Sequence, residues 1–212
     1  MKLRNWIIAA VTTTLAIVIS AEFLDRPIAW LSYRFFGHLM IVVEFAGTPS
    51  FFGPLEVVVL SIFLFRRIVF CPIAYADAVI ALCETSLLIT KLLLFPSKFL
   101  FGRTWPLYAQ PSYLIDGSYG FNFLRSGPAF GAFPSGHTAA VCALAAVLWM
   151  TYPRFRLLYA AGAISMAIAL VAGDFHFLSD VLGGGFLGVS VASLILVAFR
   201  FEDKMVSRTS RN

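Results

Sequence analysis

Gly131-Ala132-Phe133-Pro134-Ser135-Gly136-His137-Thr138-Ala139-Ala140 is the stretch that decides how this chain is read. A loop of Gly, Pro and Ser turns directly into a long apolar run. Pro is excluded from helix interiors and Ser is a favoured N-cap, so the sequence predicts a helix starting at about Gly136. The first N–H groups of such a helix lack intrahelical partners and form the positive end of its dipole. That end suits a phosphate, and Gly136 lets a ligand approach the backbone closely. His137 then falls in the first turn, beside whatever anion binds.

The composition says where this helix sits. Of 212 residues, 60% are hydrophobic and 13% charged, with a mean hydropathy of +0.87. Soluble domains carry roughly 25% charged residues. The apolar residues fall in blocks long enough for membrane helices, not in the short alternating segments of a barrel. The expectation is a single all-α integral membrane domain over residues 1–212. The net charge of +5 does not imply nucleic acid, because the basic residues lie at the ends of apolar runs, where topology explains them. Cys71, Cys83 and Cys142 show no paired spacing and read as small core residues.

Six spans are predicted, at about 6–21, 51–65, 73–95, 137–152, 157–172 and 181–199. The first is read as an uncleaved span. Residues 25–50 mix Arg26, Arg34, His38 and Glu44 with large apolar side chains, which predicts an interfacial or partly re-entrant segment between the first and second spans. His38 reads as structural. Asp77, Glu84 and Lys91 recur every seven residues in the third span and read as pairing groups inside the bundle. A long loop follows, from Pro96 to Pro134, holding Lys98, Arg103, Asp116 and Arg125. Its aromatics, Trp105, Tyr108, Tyr113 and Tyr119, suit a membrane interface. Gly184 and Gly188 give the sixth span a small face for close packing. With both termini inside, ten Lys and Arg flank the cytoplasmic side and five the other, as the positive-inside rule prefers. The loops able to do chemistry then all face outward.

Three polar clusters meet on that outer side: Lys98 through Pro106, Pro134 through His137, and His176 with Asp180. A carboxylate four residues from an imidazole comes beside it if the segment is helical. The carboxylate fixes the ring tautomer and stabilises the cation formed when the other nitrogen attacks or takes a proton. Two histidines, a Lys, an Arg and a helix N-terminus suit phosphoryl transfer without a metal. A metal held by Asp174, His176 and Asp180 would need more oxygen ligands than these, so no metal or other cofactor is expected.

These three clusters resemble the signatures of the type 2 phosphatidic acid phosphatase superfamily, which shares its fold with vanadium haloperoxidases. The signatures are K-x6-R-P, P-S-G-H and S-R-x5-H-x3-D. They correspond to Lys98–Pro106, Pro134–His137 and Ala169–Asp180, and the similarity extends over about residues 50–200. The resemblance implies that His176 is the nucleophile, Asp180 orients it, and His137 is the general acid. It also implies that Lys98, Ser135 and Gly136 hold the phosphoryl oxygens. Three positions depart from the pattern. Trp105 and Leu170 stand where the family has Arg, and Ala169 replaces its Ser. Arg103 is expected to supply the displaced charge, with Arg125 as a further candidate, and Asp174 as a candidate supporting residue. The implied activity is hydrolysis of a lipid phosphate or diphosphate at the outer face of the cytoplasmic membrane. Transfer to a second lipid, or binding without catalysis, are the alternatives. The partners are then the lipid substrate and the bilayer, and the sequence does not fix the oligomeric state.

Overall fold

The computed structural model describes residues 3–36, 44, 58–59, 61–62, 75–106 and 119–209, with the backbone alone for 200–209. Most of the predicted second span, with His38, Cys71, Tyr108, Tyr113 and Asp116, lies outside the described residues. Among the described residues the fold is all-helical. Helix α1 (Leu3–Ile19) passes through a π turn (Ser20–Leu24) into α2 (Asp25–Phe35). Then come α3 (Tyr75–Phe101), α4 (Gly136–Thr151), α5 (Arg156–Ala172) and α6 (Leu178–Thr209). Four helical stretches are long and apolar enough to cross a membrane: Leu3–Phe35, Tyr75–Phe101, Pro153–Ala172 and Leu178–Phe199. Gly136–Thr151 is equally apolar but shorter. The protein is an integral membrane protein.

Two boundaries differ from the sequence expectation. The first helix does not stop near Ala21. The Asp25 N–H reaches back five residues to the Ser20 carbonyl, so the extra residue is absorbed inside one continuous helix. At 1.5 Å per residue, its 33 residues span roughly 50 Å, well beyond an apolar layer of about 30 Å. The amphipathic α2 thus continues the first helix instead of starting a separate one, and it extends past the length an apolar layer needs. Likewise, α3 runs through Pro96 to Phe101. Pro96 has no N–H for the preceding turn, yet membrane helices accept Pro where side chains take up the freed groups. Ser97 Oγ donates to the Leu93 carbonyl at 2.7 Å, next to the Leu92 carbonyl that Pro96 leaves without its N–H donor. Lys98 therefore stands on the last turn of a rigid helix and not in a loop.

The centre of the bundle is the pairing of α4 with α6. Ala139, Ala143 and Val147 lie on one face of α4 and are fully buried. A Cβ on Gly184 would fall 2.3 Å from the Ser135 carbonyl oxygen, and one on Gly188 would fall 2.1 Å from that of Ala139. Only glycine permits this approach, which is what a small-residue face is for. A second apolar cluster, Met166, Ala169, Leu170 and Val181, ties α5 to α6.

Candidate active site

The loop after α3 folds back over the helix end. Gly102 takes a left-handed φ of 49° and donates its N–H to the Lys98 carbonyl at 2.9 Å, closing the helix. The Arg103 carbonyl then accepts from Gly131 (2.9 Å) and Ala132 (3.0 Å), which brings the Pro134–His137 segment alongside. Ser135 caps α4, its side chain accepting from the Thr138 N–H at 3.4 Å. Its own N–H donates to the Asp180 carbonyl at 3.0 Å. The first turns of α4 and α6 are thus joined directly.

His176 sits in the turn ahead of α6, not on the helix. The Phe175 and His176 N–H groups both donate to the Leu170 carbonyl, at 3.0 and 3.2 Å. Asp180, in the first turn of α6, accepts from the Phe177 N–H at 3.0 Å through Oδ2. The same oxygen lies 3.5 Å from His176 Nδ1. The pairing expected from helical spacing is present, but a capped turn produces it. The His137 and His176 rings are 6.4 Å apart between centroids, so the two histidines share one site.

The remaining expected residues divide. Lys98 is half-buried, with Nζ 5.1 Å from the centre of the Trp105 ring, and that ring is 4.9 Å from His176. Trp105, read from sequence as an interface aromatic, stands between the lysine and the histidine. Arg125 is exposed and stacks on Phe130 at 5.1 Å. Asp174 occupies a tight turn with φ 59°. Its side chain is buried without a hydrogen-bond or ion-pair partner among the described residues, and burial pushes its pKa up to about 7. Leu170 is fully buried in the apolar cluster, so this position supplies no cation to the site.

Arg103 does not reach out to an anion as expected. Its side chain is 0% exposed and lies between two carboxylates: Nη2 is 2.6 Å from Asp25 Oδ2, and Nε is 3.2 Å from Asp180 Oδ1. Phe121, Phe177 and Tyr119 pack against the guanidinium at 4.3 to 5.2 Å. Isolated charges are not tolerated at such burial, so the ion pairs take up this cation.

Sequence reasoning missed Asp25. It also accepts from Ser20 Oγ (2.7 Å), from the Ser179 N–H (3.0 Å) and from Ser179 Oγ. Tyr119 completes the cluster: its hydroxyl accepts from Arg103 at 3.0 Å and donates to the Ala21 carbonyl at 2.6 Å. Burial raises its pKa to about 12. The available signal was a carboxylate at the end of an apolar span, which in a membrane faces the bundle interior.

Residues 78–204, more than half of the chain, match the family model of the PAP2 superfamily. The chain belongs to the PAP2 superfamily. This PAP2 chain is 33% identical over 92 residues to a lipid A 1-phosphatase of Rhizobium johnstonii, covering 43% of this chain and 38% of that protein. It is 35% identical over 77 residues to a lipid A 1-phosphatase of Rhizobium etli, covering 36% and 33%. The alignment thus spans well under half of each relative. The fold is similar to the crystal structure of Aquifex aeolicus LpxE, with a TM-score of 0.57 and 19% identity over 82% of this chain and 94% of the other. It is also similar to a transmembrane PAP2-type phosphatidylglycerolphosphate phosphatase from Bacillus subtilis, with a TM-score of 0.51 and 21% identity over 92% and 96%.

Proposed function

We propose that this PAP2 protein is a six-span lipid phosphate phosphatase acting at the outer face of the cytoplasmic membrane, with both termini inside. The observation that carries the reading is the meeting of His137 and His176, 6.4 Å apart between ring centroids, at the capped start of α4. Rings this close can both reach one bound phosphoryl group, which is what in-line attack and proton donation require. With Nδ1 turned to Asp180, His176 has Nε2 free for attack. Its lone pair forms the N–P bond as the bond from phosphorus to the lipid oxygen breaks. His137 gives that oxygen its proton. Water then attacks phosphorus, His137 takes the water's proton, and the N–P bond breaks to release phosphate and neutral His176. Lys98 and the N–H groups after Ser135 and Gly136 neutralise the phosphoryl oxygens. Arg103 serves Asp180, not the substrate. No step requires a metal.

The lipid A 1-phosphatase relatives support a lipid phosphate monoester as substrate, with lipid A 1-phosphate the first to test. Undecaprenyl diphosphate, phosphatidylglycerol phosphate and phosphatidic acid are the comparison lipids. The test is phosphate release by the purified protein in EDTA, beside His176→Ala and His137→Ala. Activity that vanishes in EDTA, or survives His176→Ala, overturns the mechanism. A second reading, lipid-phosphate binding without turnover, is favoured by Trp105 and Leu170, which leave Lys98 with no arginine beside it among the described residues near the two rings. Unchanged cellular function in His176→Ala would select that reading. Phosphorylated His176 that discharges to a lipid faster than to water would select phosphotransfer.

A further inference from the structure

We propose that Asp25 is a positioning residue for the His176–Asp180 pair, acting through Arg103 to set the negative charge that His176 meets. The catalytic meaning rests on the nucleophile reading above, whereas the electrostatic effect is measurable without it. Three observations lead here. Asp25 is 0% exposed and anchors the chain Asp25–Arg103–Asp180–His176, with separations of 2.6, 3.2 and 3.5 Å. It also takes both the N–H and the hydroxyl of Ser179, the residue before Asp180, so it fixes the turn that carries Asp180. Finally, the π turn Ser20–Leu24 is what delivers it. Such one-residue insertions in helices concentrate at functional sites.

The charge balance gives the direction. Two carboxylates and one guanidinium leave one net negative charge beside His176. Neutralising Asp25 leaves Arg103 with Asp180 alone, and the cluster carries no net charge. An imidazolium at His176 then loses stabilisation, as does the cationic ring of a phosphohistidine. Among the described residues, His137 and, across Trp105, Lys98 are the other titratable groups beside His176; Asp174 lies two residues before it in the chain. The substitution alters none of them.

The chain has three histidines, so ring signals from histidine-labelled full-length protein in nanodiscs can be assigned by comparison with His176→Ala. In Asp25→Asn the His176 titration midpoint falls below that of the wild type, because one negative charge has left the cluster. In Arg103→Gln it rises, and in the double variant it returns toward the wild-type value. With phosphatidic acid as probe, kcat in Asp25→Asn drops about tenfold while KM holds, and the acid limb of kcat/KM moves to lower pH. A purely structural Asp25 would lower the yield of folded protein and leave the midpoint and the acid limb in place, which overturns the inference. Equal midpoints in wild type and Arg103→Gln overturn it too, even if Asp25→Asn does not fold. Shifted midpoints in a protein whose His176→Ala form remains active would support the electrostatic link and sink the nucleophile reading instead.

Discussion

The contact between Gly184 and Ser135 allows a one-methyl test of how the site is held. A Cβ on Gly184 would lie 2.3 Å from the Ser135 carbonyl oxygen, whereas ordinary contact begins at 3.4 Å. Gly184→Ala must therefore move α4 and α6 apart by about 1 Å at the level of Ser135. These helix starts carry His137 and fix the turn of His176. A displacement of this size in a reacting constellation costs about 100-fold in turnover. Overpacking adds about 1–3 kcal/mol of destabilisation, or roughly 2–4 °C in Tm per kcal/mol. Gly185→Ala is the control on the same helix, because its nearest contact would be Cys142 Sγ at 3.6 Å. Lipid-phosphate turnover and thermal unfolding in detergent are measured side by side. Turnover falls about 100-fold in Gly184→Ala and stays within about twofold in Gly185→Ala. Equal Tm and equal turnover in the two variants would refute the view that this backbone contact sets the spacing of the histidines.

Other variants probe single groups. His137→Ala should lose most of its turnover on lipid monoesters but recover on an aryl phosphate, whose leaving group needs no proton. His176→Ala should recover on neither, and phosphate release on both substrates checks this. Trp105→Arg places a second cation beside Lys98, and a charge-assisted contact of about 1.5 kcal/mol or more lowers KM at least roughly tenfold; an unchanged KM contradicts the placement. The folded Asp174 carboxyl titrates at about 7 against 3.8 unperturbed. The native state therefore holds the extra proton between those values, and stability falls as pH rises from about 4 to about 7. Asp174→Asn, which keeps a residue tolerant of its positive φ, should raise Tm at pH 8 and leave it unchanged near pH 4, read by thermal scans at both.

Local rules made much of this fold legible. Pro134 and Ser135 mark the start of α4, and Gly184 with Gly188 mark the face where it is packed. The His137–His176 meeting followed from placing two motif loops on one side of the bilayer. What local rules missed depends on distant partners. Pro96 reads as a stop, yet Ser97 and the packing of the bundle carry the helix past it. Arg103 reads as a free cation until its two carboxylates are seen, one of them 78 residues away in sequence. Asp25 stands among charges spaced like those of an interfacial helix, and no periodicity separates a side chain turned into the core from its solvated neighbours. Tyr119 reads as a headgroup aromatic for the same reason.

The matched family region begins at residue 78, more than fifty positions after the carboxylate that balances Arg103. A polypeptide trimmed to that region would keep all three signatures and still be electrostatically incomplete. Shortening Ser20–Leu24 by one residue would do comparable harm more quietly: the helix would revert to regular winding and swing the acid about 100° around its axis. On the proposed role of Asp25, the amino-terminal segment is a working part of the site and not a removable tether.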